Sequence, residues 1–295
     1  MRKSRTRKWV LVLGLAVLVP VFSLPNIAAS AEKPLWELGV GLAFLQLPDY
    51  RGSDENRLYL LPYPYFIYRG DIVQVDQERV SGRIFKTDKV LLDISLYGQV
   101  PVKSSDNDAR TGMPDLDPTF EVGPSLNITL LDNRQDRYKL NLDLPVRPVF
   151  STDFRSVRYE GWVFSPRLAF EKTDLIAGTG WNLGMSFGPI FADRGYNSYY
   201  YSVDRAYATP SRPEYAASAG YDGSSATISL NKAYKQLVFN AFVSVHFLQG
   251  AVIDDSPLVK SHYSVMGGIA VSWIFLKSAK NVQETDRLMP IRYRH

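Results

Sequence analysis

Apolar residues in this chain alternate one for one with polar or small residues, over runs of about the length a tilted strand needs to cross a bilayer. From 120 to 130, Phe120, Val122, Pro124, Leu126, Ile128 and Leu130 share one face. Glu121, Gly123, Ser125, Asn127 and Thr129 share the other. A period of two is the signature of a strand, because successive side chains point to opposite sides of a sheet. The same pattern recurs over 138–148, 162–171, 181–191, 237–247 and 263–275, with Trp, Phe, Leu and Val on the apolar face. Beyond residue 31, no apolar stretch approaches the ~20 residues of a spanning helix. The alternation predicts an all-β fold: a transmembrane, antiparallel, up-and-down β-barrel.

Weaker segments near 36–46, 58–68, 71–79, 81–87, 89–100 and 225–233 raise the expected total to twelve strands. An even number places both termini at the same, periplasmic, end. The connections then sort by length. Short turns fall at 69–70, 87–89, 132–136, 173–178 and 234–236; longer loops fall at 47–57, 101–117, 150–157, 193–224 and 249–261, with a tight one near 80. A soluble β-sandwich is the competing architecture, but it has no reason to sort its loops this way and would turn its polar face outward. Prolines within the strands cannot donate to a ladder and are expected at bulges or strand ends.

The first thirty-one residues have a composition of their own. Arg2, Lys3, Arg5, Arg7 and Lys8 precede an apolar run from Trp9 to Phe22, and Ala29-Ser30-Ala31 follows. This three-part pattern is that of a secretory signal peptide cut after Ala31; Pro20 and Pro25 speak against a membrane anchor. Cleavage removes five positive charges and turns the net charge of +4 into −1. The basic balance therefore belongs to the export signal, and nucleic-acid binding is not indicated. The chain contains 0 cysteines, which excludes disulfides, thiolate metal sites and a lipid-anchoring cysteine. Three parts result: a signal peptide (1–31), a barrel (32–275) and a charged periplasmic tail (276–295).

Candidate chemistry is sparse. His246 and His262 fall on the inward side of the alternation, with Ser244, Ser264 and Glu171 as conceivable hydrolase partners, but a triad is recognised by geometry and not by composition. The inward charges Asp93, Glu121, Lys139, Asp143, Arg147, Arg167 and Glu171 carry both signs. They suit cross-strand pairing in a filled barrel better than a single-sign, ion-selective pore. Loop 193–224 holds Tyr196, Tyr199, Tyr200, Tyr201, Tyr207, Tyr215 and Tyr221. Such a loop either stacks on sugars or a partner protein, or folds over the barrel mouth and packs on itself. Loops 47–57 and 101–117 are acidic at Asp49, Asp54, Glu55, Asp106, Asp108, Asp115 and Asp117, which surface solvation explains as well as weak cation binding does. Arg69-Gly70-Asp71 reads as a turn. No nucleotide, zinc or calcium motif occurs, so no cofactor is expected.

Several short segments resemble the MipA/OmpV family. They are Trp36-Glu37-Leu38-Gly39-Val40-Gly41, Leu47-Pro48-Asp49-Tyr50-Arg51-Gly52-Ser53, Leu61-Pro62-Tyr63-Pro64-Tyr65-Phe66, Val122-Gly123-Pro124-Ser125, the Tyr-rich stretch from Asn197 to Val203 with Pro213-Glu214-Tyr215, and Asp255-Ser256-Pro257-Leu258-Val259. The resemblance implies a protein of the Gram-negative outer membrane, embedded in its lipid. It further implies a non-enzymatic scaffold that contacts murein-remodelling proteins, the lytic transglycosylase MltA and a penicillin-binding protein, and with them peptidoglycan. A porin-like solute channel is the second reading, and a lipid- or glycan-directed hydrolase the third. No family catalytic residue exists to carry over. One departure stands out, because barrels of this kind usually end on the aromatic of the closing strand. Here Trp273-Ile274-Phe275 is followed by a tail with Lys277, Lys280, Arg287, Arg292 and Arg294.

Overall fold

A computed structural model describes residues 32–70, 73–75, 79–87 and 89–283. Residues 1–31, where the signal peptide is expected, and residues 284–295, with Arg287, Arg292 and Arg294, lie outside the described residues. The strands in chain order are β1 (Glu32–Pro34), β2 (Trp36–Pro48), β3 (Asn56–Arg69), β4 (Val73–Val75), β5 (Arg79–Lys86), β6 (Val90–Gln99), β7 (Thr119–Asn133) and β8 (Tyr138–Thr152). They continue as β9 (Val157–Phe164), β10 (Arg167–Lys172), β11 (Asn182–Ala192), β12 (Gly220–Tyr234), β13 (Leu237–Phe247), β14 (Tyr263–Lys277) and β15 (Asn281–Gln283). One α-helix, α1 (Arg194–Tyr201), lies between β11 and β12.

All strands from β2 to β14 belong to one antiparallel sheet in which each pairs with its sequence neighbour, and β14 pairs with β2. β9 and β10 share a single place in the wall. Ser165 and Pro166 separate them, and both pair with β8 on one side and β11 on the other. The ladder thus returns to its start with twelve wall positions. Among the described residues, β3 and β4 pair at Tyr68↔Val75 and Arg69↔Gln74. Of the strand expected over 71–79, Val73–Val75 is strand and Arg79 opens β5, while 71–72 and 76–78 lie outside the described residues.

Alternation is reproduced in the burial pattern. Val40, Leu42, Phe44, Phe120, Val122, Phe187, Ile269, Val271, Trp273 and Phe275 are exposed on the outside of the wall. Asp93, Glu121, Ser125, Lys139, Asp143, Arg147, Ser244 and Ser272 are buried inside it. This is the reverse of a soluble sheet, and no helix among the described residues is long and apolar enough to cross a membrane. One side of the lumen is apolar instead: Ala43, Leu45, Phe242 and Ala270 cluster there, with Leu61, Tyr63 and Met266 against them.

The prolines follow the expectation only in part. Pro166 breaks a strand, and Pro189 borders a register shift in β11. Pro62 and Pro64, however, sit inside β3 with no shift against β2. At the other end of the chain, the first residues of the tail are ordered. Asn281–Gln283 pairs antiparallel with Glu32–Pro34, which joins the two chain ends in a small sheet at the end of the short turns.

Gly123 shows how tightly the wall is built. A Cβ there would lie 2.1 Å from the Val146 carbonyl oxygen and 2.9 Å from Arg147 Cα, both backbone atoms. Gly123→Ala is therefore expected to destabilise the barrel by about 1–3 kcal/mol, the range of an overpacked core. The check is the temperature at which the folded, fast-migrating form is lost on unboiled denaturing gels; an unchanged midpoint would contradict the close packing.

Candidate functional site: a plugged mouth above a lumen chamber

The long loops meet at one end of the barrel and form a folded plug. Asp193 starts α1 by accepting a hydrogen bond from the Tyr196 amide at 2.9 Å, an N-cap that satisfies one of the orphan donors. The helix can approach β9 because Gly161, at φ +135°, carries no side chain. A Cβ there would fall 2.1 Å from Asp193 Oδ1. Tyr196, Tyr200 and Tyr201 then point into an apolar cluster with Tyr50, Val102, Leu116, Val203, Leu248, Ile253 and Leu258.

Buried tyrosines need a partner for each hydroxyl, and here the partners come from other segments. Tyr50 donates to the Leu258 carbonyl at 2.8 Å, Tyr199 to that of Asp117 at 3.0 Å and Tyr201 to that of Arg51 at 3.0 Å. Tyr215 donates to the Val252 carbonyl at 3.0 Å, and the Tyr200 hydroxyl lies 2.9 Å from Thr119 Oγ1. Arg110 and Arg212 complete the weave by donating to the carbonyls of Tyr200 and Ala109, at 3.1 and 2.9 Å. None of the tyrosines singled out in loop 193–224 is exposed. The loop packs on itself and on its neighbours, with Tyr196, Tyr200 and Tyr201 buried and Tyr199, Tyr207, Tyr215 and Tyr221 half-buried.

Below the plug the lumen widens into a chamber. Arg51 reaches down to form an ion pair with Asp222 and to hydrogen-bond the Tyr196 hydroxyl at 3.3 Å. Burial by itself would lower the Arg51 pKa, but the Asp222 carboxylate beside it raises it well above the ordinary arginine value. In the wall, Arg147 donates to Glu121 at 2.7 Å and to Ser165 at 3.1 Å, and its guanidinium lies 5.8 Å from the centre of the Tyr97 ring. Arg167 donates to Asp143 at 3.3 Å. The inward charges thus pair across strands, as the mixture of signs predicts.

The residues considered for hydrolysis are not assembled. The Ser264 hydroxyl accepts from the Gly52 amide at 2.7 Å, and Ser244 is 2.8 Å from Thr227 Oγ1. His246 lines the chamber, but no hydrogen bond links it to either serine among the described residues. His262, expected to face inward, is instead exposed in the outer loop, 2.5 Å from Asp254. It lies just before β14 begins, where strand alternation no longer sets direction. Glu171 sits on β10, opposite Lys139 of β8. Arg51 and Asp222, the pair that ties plug to chamber, are distant in sequence and carry no motif for pairing; only Arg51 lies in a segment the sequence flags.

A membrane-facing wall, a polar interior and a loop plug together define a β-barrel of the outer-membrane class. The chain belongs to the MltA-interacting protein MipA family, whose model matches residues 40–275. No curated protein matches it. Similar solved structures include a bacterial polysaccharide outer membrane secretin, at 8% identity and a TM-score of 0.42, with 81% of this chain and 99% of that one covered. Another is outer membrane phospholipase A from Escherichia coli, at 10% identity and a TM-score of 0.33, with 87% and 96% covered. The barrel assignment rests on strand pairing and the family match, not on these likenesses.

Two expectations follow from the site. Burial raises the pKa values of Tyr196, Tyr200 and Tyr201 above the ordinary tyrosine value. A raised folded-state pKa contributes stability that is complete below the unfolded value of about 10 and is lost as pH rises above it. In an alkaline absorbance titration these tyrosines should ionise last, together with the onset of proteolysis in 193–219. A single step near pH 10 would refute the plug. Separately, Arg147→Ala leaves Glu121 buried without its partner and is expected to cost about 3–5 kcal/mol, whereas replacing both with apolar residues costs much less. Thermal midpoints of the single and double variants decide this.

Proposed function

We propose that this protein is a non-enzymatic scaffold that holds murein-remodelling enzymes at the inner surface of the outer membrane. The observation that carries this reading is the plug. An open porin needs a continuous aqueous path, and here the mouth is occupied by a hydrogen-bonded apolar cluster and the lumen below it by paired charges. The family description, an MltA-interacting protein, points to a lytic transglycosylase as partner. In this reading the long loops face outward and the short turns face the periplasm. The end that meets murein then carries the β1–β15 sheet, with Lys277 and Lys280 exposed beside it, and the charged tail that follows.

Affinity capture of the full-length protein from detergent-solubilised envelopes is expected to recover a murein hydrolase together with a penicillin-binding synthase. Removal of residues 284–295 should weaken that recovery without changing the barrel's heat stability. Recovery of neither enzyme sinks the scaffold. Planar bilayers provide the second check: stable unitary conductance steps would favour the porin-like channel instead.

A further inference from the structure

Outward positions of β12 read Ile228, Leu230, Lys232 and Tyr234 toward the short-turn end. Ile228 and Leu230 are exposed on the lipid-facing side, and on the same face the apolar run then gives way to a cation. Asn182 pairs with Asn231, which sets Trp181 of the neighbouring strand beside Lys232. The Lys232 ammonium lies 5.4 Å from the centre of the Trp181 ring, within reach of a cation–π contact. Three residues on, the Lys235 ammonium lies 5.3 Å from the centre of the Tyr234 ring. Lys235 occupies the turn between β12 and β13 at φ +56°, a left-handed conformation that Gly or Asn adopts more easily.

Neither of these lysines forms an ion pair among the described residues. By contrast, Arg137 and Lys139, beside the turn between β7 and β8, have carboxylates of their own. Arg137 pairs with Asp174 at 3.1 Å and Lys139 with Asp132 at 3.6 Å. Asp174 lies in the turn that leads to Trp181, and it also accepts from the Gly178 and Gly180 amides, both at 2.9 Å. Its carboxylate is already engaged, so the charge of Lys232 and Lys235 is left unbalanced on the wall.

The surface around them is that of a membrane boundary. Tyr234 pairs with Leu237 and Leu237 with Trp273, which puts Tyr234 and Trp273 at one level. Both are exposed, and the Trp273 indole N–H donates to Gln236 at 3.2 Å. In the turn before Trp181, the Leu175 amide donates to the Trp181 carbonyl at 2.7 Å, and Leu175 and Ile176 are exposed. Tryptophan and tyrosine, each with an apolar body and one polar handle, settle at the level of lipid headgroups. Lysine side chains at that level extend toward phosphate and away from acyl chains. Trp181, Tyr234 and Trp273 thus mark the headgroup plane, and Lys232 and Lys235 place two charges in it.

We propose that Lys232 and Lys235 hold the phosphate of an anionic phospholipid in the periplasmic leaflet, with its acyl chains along the outward side of Leu183, Leu230 and Ile228. Phosphatidylglycerol has the required chemistry, because its phosphate charge is not offset within the headgroup; phosphatidylethanolamine brings an ammonium of its own. The inference shares with the scaffold reading only the orientation of the short turns. It concerns the outward wall and not the β1–β15 sheet.

Native mass spectrometry tests this on the full-length protein in detergent, titrated with phosphatidylglycerol or with phosphatidylethanolamine of the same acyl chains. The unmodified protein is expected to bind phosphatidylglycerol about tenfold more tightly, equivalent to ~1.4 kcal/mol. The Lys232→Gln/Lys235→Gln double variant should lose that preference. Lys103→Gln/Lys260→Gln, which removes the same charge from exposed positions in the long loops, should keep it. Should the first double variant not show the folded form on unboiled gels, Lys235→Gln alone, in an exposed turn, is expected to lower the preference about threefold. Equal binding of the two lipids by the unmodified protein would overturn the proposal, as would an equal loss in the long-loop variant. An undiminished preference in the folded Lys232 and Lys235 variants would do the same. Displacement of the lipid by glycerol 3-phosphate alone would assign the two charges to a soluble phosphate and overturn the lipid site.

Discussion

In hydrocarbon a backbone amide or carbonyl has no water to turn to, and everything else in this molecule follows from how those groups are paired. A sheet satisfies its interior strands but leaves two edges, so it must meet itself. The chain achieves this with β14 against β2 and with a broken strand, β9 and β10, that keeps both neighbours in register across Pro166.

Meeting the backbone's needs creates a second problem inside. Strand alternation that turns leucine and phenylalanine toward lipid also turns arginine, glutamate and asparagine toward a narrow lumen. Buried charges are tolerable when paired and further hydrogen-bonded. Arg147 meets both conditions at once with Glu121, Ser165 and the ring of Tyr97. At the mouth the solution is different, because tyrosine supplies apolar area and one hydroxyl that a neighbouring loop's carbonyl can accept. The same tyrosines that fill the plug also tie its loops together. Arg51 links the two solutions, bonded to the plug tyrosine Tyr196 and to the wall carboxylate Asp222.

These features separate the molecule's two ends. The long-loop end is filled by a cluster of buried tyrosines and aliphatic side chains whose hydroxyls bond to neighbouring loops. The short-turn end holds the β1–β15 sheet and leaves Lys277 and Lys280 exposed. A scaffold for enzymes that work on murein would use the second end.

Much of the architecture was legible in the sequence, because alternation is a local property that a single strand displays by itself. It located strands near 120–130, 138–148, 162–171, 237–247 and 263–275, the inward set of charges, the sorting of loops by length and the twelve places in the wall. It misjudged His262, where the strand had not yet begun. Other features depend on residues far apart in the chain, and no local pattern encodes them. Loop 193–224 could equally have been a sticky surface; only the partners of its hydroxyls, in loops tens of residues away, decide that it is a plug. The same holds for Arg51 with Asp222. Sequence determined which side of each strand faces lipid, since that follows from a two-residue repeat; tertiary structure decided which loops meet and which charges pair, since those are set by closure of the ring.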